Sequence, residues 1–180
     1  SKTVFNVYDD ITATQGENSW YYKYAPLGEY ELSDYAEYNY FDSSIRAAWL
    51  DESGTGYGRI RMVPDNRVLE AGYAGDSALV FKAPATGRIK LSMYNEQDGV
   101  ASITATGSDD FVRLKIYKNG EQIYPLPETG EEWLVLTSAG STYNEEHGTN
   151  YPTTVDFFPM EMDIQGGDEI IFRVNKGSTL

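Results

Sequence analysis

FVRLKIYKNGEQIY, residues 111–124, is the stretch on which the fold class turns. Val112, Leu114 and Ile116 alternate with Arg113, Lys115 and Tyr117, the period of two of a strand with one dry face and one wet face. Asn119-Gly120 follows at once. Both residue types tolerate the positive φ of a tight hairpin turn, and residues 122–124 supply the return strand.

The same grammar recurs on either side. ALVFK (78–82), the turn PATG and RIKLSM (88–93) form a second strand–turn–strand, with Ile89, Leu91 and Met93 alternating with Arg88, Lys90 and Ser92. WLVLT (133–137), TTVDFF (153–158) and residues 160–164 read as further strands. Gly166-Gly167-Asp168 turns the chain into EIIFRV (169–174), which sets Ile170, Phe172 and Val174 on one face. The N-terminal half is less regular. Residues 5–8, 20–24, 45–50 and 59–63 read as strands around the loop DESGTGYG (51–58), while 29–40 alternates Tyr with acidic or small residues and fits loop, strand or short helix. No segment carries a long helical period with caps. Many short strands with turn signals between them predict an all-β fold, a two-sheet antiparallel β-sandwich of jelly-roll type with long loops at 51–58, 95–110 and 139–152. At 180 residues, with no internal repeat, the chain reads as one module spanning 1–180, its ends SKTVFN and NKGSTL being boundaries within a larger modular protein.

Composition narrows the function classes. Net charge is -14, against the basic patch that nucleic acid requires and against an anionic membrane surface. A neutral partner fits, since an acidic surface neither attracts nor repels it. There is no cysteine, which removes disulfides, thiol catalysis and Cys-based zinc sites. No signal-peptide pattern and no apolar run long enough to span a bilayer occurs. The 15 Tyr and 3 Trp stand against 7 Phe, and Tyr and Trp suit wet surfaces that grip something flat.

Four segments in order carry a resemblance: DDITATQGENSWYYKYAP, ALVFKAPATGRIKLS, FVRLKIYKNGEQIYP and MDIQGGDEIIFRVNKG. Together the chain resembles the β-sandwich modules of bacterial extracellular carbohydrate-active proteins, which are similar to jelly-roll carbohydrate-binding modules. It departs from them in the Tyr-rich stretch 30–40 and the insert 139–152. The resemblance implies a secreted or cell-surface location, other domains of the same parent protein as neighbours, and compatibility with a structural calcium. Asp9-Asp10, Asp109-Asp110 and Asp163 with Asp168 are loose ligand sets for that ion, and turn chemistry accounts for them equally.

Sugar rings offer a C–H face that stacks on aromatics. Trp20, Tyr22 and Tyr24, at i, i+2 and i+4, share one strand face about 7 Å apart per step, close to a hexose repeat, with Tyr21 turned the other way. The alternative is that Trp20 and Tyr22 are core residues. Tyr57, in the glycine-rich GTGYG, is expected to be exposed. Trp133 is either a rim residue or a core plug, and Trp49 in RAAWL is expected in the core. Tyr35, Tyr38 and Tyr40 are too many to be buried together with satisfied hydroxyls. Tyr94, Tyr143 and Tyr151 stand at strand ends or in loops. With 28 acidic residues some pair always meets a glycosidase spacing, so none is singled out. His147, the one histidine, lies in a polar segment without a Gly-x-Ser-x-Gly elbow. GTGYG lacks the strand-to-helix context of a phosphate loop. The reading is a non-catalytic carbohydrate-binding module for a plant polysaccharide, a starch-like α-glucan or a β-glucan or xyloglucan, with Trp20, Tyr22, Tyr24, Tyr57 and Trp133 as site residues and no required cofactor. Its rival is a structural or protein-interaction domain of a surface protein.

Overall fold

The computed structural model describes residues 2–26, 31–44, 47–63, 66–73, 75–93, 99–107 and 111–176. In chain order these form β1 (Trp20–Tyr24), β2 (Ala36–Glu37), β3 (Tyr40–Asp42), β4 (Ala48–Asp51), β5 (Gly54–Val63), β6 (Asn66–Glu70), β7 (Ser77–Lys82), β8 (Gly87–Leu91), β9 (Ala101–Thr104), β10 (Phe111–Lys118), β11 (Glu121–Tyr124), β12 (Leu134–Thr137), β13 (Thr154–Phe157), β14 (Met160–Ile164) and β15 (Glu169–Lys176). The helices α1 (Val7–Asp10) and α2 (Tyr143–His147) are single turns. The fold is all-β, and every strand pairing among the described residues is antiparallel.

One layer is a seven-stranded sheet in the order β11-β10-β15-β7-β1-β2, with β12 on the same edge of β10 as β11. The other layer is divided. A four-stranded sheet β3-β4-β5-β6 stands beside two ribbons, β8 with β14 and β9 with β13, where the sequence predicts one continuous second sheet. Register explains the core. Trp20 opposes Phe81, Tyr22 opposes Leu79, Leu79 opposes Phe172 and Phe172 opposes Ile116, so one face of the large sheet is a continuous apolar surface. It packs on Trp49, Ile60 and Met62 of the four-stranded sheet and on Phe157 and Ile164 of the ribbons. Removing an aromatic of this size from water contributes about 4–6 kcal/mol as an upper estimate. The divided second layer leaves a cleft of about 1800 Å³ against Leu79, Phe81, Phe172, Leu91 and Ile103.

The hairpin at Asn119-Gly120 forms as expected, with Asn119 at φ 57°. Three local expectations give way, the first being the loop predicted at 95–110, within which β9 (Ala101–Thr104) forms and pairs with β13. Residues 5–8 are not a strand: the Asn6 side chain accepts the Tyr8 N–H and starts α1, a cap that outweighs the extended preference of Val and Tyr. GTGYG is not a loop but the opening of β5, because Gly58 (φ +76°) and Gly72 let two backbones approach so closely that a Cβ on Gly58 would lie 1.9 Å from the Glu70 carbonyl oxygen.

The segment TQGENSWYYKY works as a clasp. β2 covers β1 only beside Lys23 and Tyr24. Beyond it, Gln15 acts as a strand would: its Oε1 accepts the Tyr22 N–H at 2.8 Å, and its Nε2 donates to the carbonyls of Tyr22 at 2.9 Å and Tyr38 at 3.0 Å. Asn18 donates to the Asp10 carbonyl and Trp20 Nε1 to the Asp10 carboxylate, so the same segment ties down α1. Gln15→Ala strands the Tyr22 N–H and the Tyr38 carbonyl and is expected to cost about 2–3 kcal/mol, seen as a lower urea midpoint at unchanged m-value. An unchanged midpoint would show that water replaces the amide freely.

Candidate functional site

Two of the five aromatics expected to form the site are not on the surface. Trp20 is 6% exposed and Tyr22 1% exposed, both on the inner face of the large sheet, with Tyr22 stacked on Trp49 at 5.6 Å. The shared face is the one the spacing predicts, but it is the dry one, so neither ring can receive a sugar. Tyr24 and Tyr57 are half-buried and lie against each other at 5.0 Å. Tyr24 also stacks on Tyr38 at 4.8 Å and donates its hydroxyl to Asp51. Tyr57 therefore packs inward instead of standing free in a loop. Trp49 is core, Tyr35 and Tyr38 are buried with their hydroxyls given to Asp76 and the Tyr57 carbonyl, and Tyr40 is exposed. Tyr94 and Asp109-Asp110 lie outside the described residues.

Trp133 remains, and the outer face of the large sheet is built around it. Arg113 and Lys115 are two apart on β10 and project to that face. Lys115 opposes Arg173 and Arg113 opposes Asn175 on β15, so all four side chains rise together. Trp133 immediately precedes β12, the neighbour of β10. Its ring centre lies 4.4 Å from Lys115 Nζ, 4.5 Å from the Arg113 guanidinium carbon and 5.0 Å from that of Arg173, all within cation–π range. Phe111 and Tyr117 close the row along β10, a span of about 20 Å. At the Phe111 end stand Tyr143, edge-on at 4.7 Å, Tyr151 at 5.9 Å, and His147 stacked on Tyr143 at 4.0 Å. The insert that carries them is fixed by Asn144, whose amide bonds both the N–H and the carbonyl of Tyr151. His147 is exposed, at the end of α2.

A buried carboxylate holds the cations in place. Asp76, 1% exposed, accepts from Arg173 Nε at 2.7 Å, from the Tyr35 hydroxyl at 2.7 Å and from Asn175 Nδ2. Asn175 in turn accepts from Arg113 Nε at 3.0 Å and from its Nη2, and Arg173 Nη1 donates to the Tyr117 hydroxyl at 3.2 Å. Burial, then the Asp76 charge, push the Tyr35 hydroxyl far above its usual range, which keeps it a donor. Burial opposes the Arg173 charge, but Tyr35 and Asp76 outweigh it and its pKa stands above the usual value. Lys115 is shifted down, first by burial and then by the neighbouring Arg173 and Arg113, against the pull of Glu132 at 3.7 Å.

Sequence reasoning placed Arg113, Lys115 and Tyr117 on one strand face and read that face only as the wet side. Asp76, Arg173, Asn175 and Phe111 escaped it, because Asp76 and Arg173 are 97 residues apart and only the β7–β15 pairing joins them. Among the described residues no group of three or more His, Cys, Asp or Glu is placed to hold a metal. Of the Asp sets considered for calcium, Asp10 serves Lys2 and Trp20, Asp163 pairs with Arg88, and Asp168 caps the turn before β15.

Asp76→Ala leaves Arg173 buried without its counter-charge and is expected to cost about 3–5 kcal/mol, read from the urea midpoint. Tyr35→Phe removes one donor and costs about 1 kcal/mol. Equal losses in the two variants would mean that the carboxylate does not carry the guanidinium.

No family model, no curated protein and no solved structure matches this chain.

Proposed function

We propose that the chain is a non-catalytic carbohydrate-binding module that holds a polysaccharide of plant type on the outer face of its large sheet. The observation that carries this reading is Trp133, half-buried on the outer face and laid over Arg113, Lys115 and Arg173, on the face that also carries Phe111 with Tyr143 against it. An aromatic anchored from beneath loses little freedom when a ring stacks on it, and the flanking N–H donors reach ring hydroxyls. Stacking is worth roughly 1–3 kcal/mol per ring. Two engaged aromatics with a few hydrogen bonds then give micromolar to millimolar affinity, about 4–8 kcal/mol. Such a site works by avidity, holding a secreted parent protein to an insoluble substrate. Phe111, Arg113, Lys115 and Tyr117 follow one strand for about 20 Å, a length that suits an extended chain.

The rival reading, a structural or protein-interaction module, draws on the apolar cleft between the large sheet and the ribbons. Native affinity gels separate the two. Run through starch, xyloglucan, barley β-glucan, mannan, xylan and acidic polysaccharides, the protein is expected to be retarded by at least one of them. Trp133→Ala is expected to lose tenfold or more in affinity, with stability lowered by only about 1–2 kcal/mol through the lost cation–π contacts. Trp20→Ala is expected instead to lower stability by about 3–5 kcal/mol, as for other buried tryptophans. Unretarded migration in every gel would leave the interaction module as the better account.

A further inference from the structure

The charges beneath Trp133 name the class of sugar, an inference that rests on the reading of this face as a glycan site. Three of the chain's 14 basic residues lie within 5.0 Å of one indole, in a protein whose net charge is -14. They differ in what already answers them. Arg173 is committed to buried Asp76. Among the described residues Lys115 has one carboxylate partner, Glu132 at 3.7 Å, whose side chain is 79% exposed. Arg113 has no carboxylate partner among the described residues, and two of its five N–H donors go to the neutral Asn175 oxygen. Its outer edge, the Nη1 side together with the second Nη2 hydrogen, keeps the geometry for a two-point bond to a carboxylate.

The balance of donors and acceptors points the same way. A sugar hydroxyl both gives and accepts, so a site for a neutral glucan needs acceptors among its donors. Among the described residues around Trp133 the donors are guanidinium and ammonium groups, the Asn175 oxygen and the Tyr117 hydroxyl are already engaged by Arg113 and Arg173, and the Glu132 carboxylate stands beside Lys115. We infer that the polysaccharide taken on this face is a polyuronate, with a sugar ring on Trp133 and that residue's carboxylate on Arg113 beside Lys115. The acidic remainder of the surface does not forbid this. At physiological ionic strength charges beyond about 8 Å are largely screened, whereas a direct pair is not.

The test compares free acids with their esters, since esterification keeps the backbone and removes the charge. Polygalacturonate and alginate, each against its fully esterified form and with EDTA present, are used in affinity gels and calorimetry. At least one free acid is expected to bind tenfold or more tighter than its ester. Arg113→Gln is expected to erase that preference while keeping the urea midpoint, and Trp133→Ala to weaken both forms. Equal binding of acid and ester, a preference that survives in Arg113→Gln, or retention by neutral glucans alone would each overturn the polyuronate assignment and leave the module reading standing. No retention by any polysaccharide, neutral or acidic, would overturn both.

Discussion

Asp76 draws together side chains from distant parts of the chain. Its carboxylate, almost wholly out of water, takes bonds from Tyr35, Arg173 and Asn175, which come from the segment before β2 and from β15. An ionised carboxylate in such a place is tolerable only when paired and hydrogen-bonded on most sides, and here both oxygens are engaged. The arrangement reaches outward in two directions. Through Tyr35 it closes a small second core of Ala25, Ala78, Val80 and Ile171 over half of the outer sheet face. Through Asn175 it sets the Arg113 guanidinium under Trp133. One buried carboxylate thus links the covered part of the face to the part that carries Trp133.

The strand β10 shows how economically a sheet does two jobs. Its inner residues Leu114 and Ile116 continue the apolar surface that begins at Trp20, while its outer residues Phe111, Arg113, Lys115 and Tyr117 form the platform. A shift of register by one residue would exchange the two sets, placing two cations in the core. The hydrophobic requirement of the inner face therefore fixes the outer face to within one residue, and the binding geometry takes its precision from core packing.

What could be read in the sequence follows the range of each interaction. The strands at 78–82, 111–118 and 169–174 were legible because alternation is local. The shared face of Trp20, Tyr22 and Tyr24 was legible for the same reason. Which face was dry was not, since their partner β7 is buried on both sides along Ser77–Phe81 and carries no polarity to orient the pair. The segment DDITATQGENSWYYKYAP carried the family resemblance without revealing what Gln15 does, because its amide bonds backbone 7 and 23 residues away. The turn at α1 has no period to detect, and the division of the second layer depends on pairings such as β8 with β14 that span some 70 residues.

The charge argument shows the same difference between a sum and a place. A net charge of -14 is a total over the whole surface, and from that total a neutral ligand follows. A ligand meets only a patch, and the patch is set by which residues a strand turns outward. β10 is an interior strand, with β15 on one side and β11 and β12 on the other. Long cationic side chains on such a strand must lie along the sheet or find something to lie against. Trp133 provides it: the Lys115 ammonium lies 4.4 Å from its ring centre, and Lys115 is 7% exposed with the exposed Glu132 carboxylate 3.7 Å away. Two cations alternating on the wet face of an interior strand, with a tryptophan at the start of the next strand pairing with it, are therefore a more informative signal for ligand charge than composition.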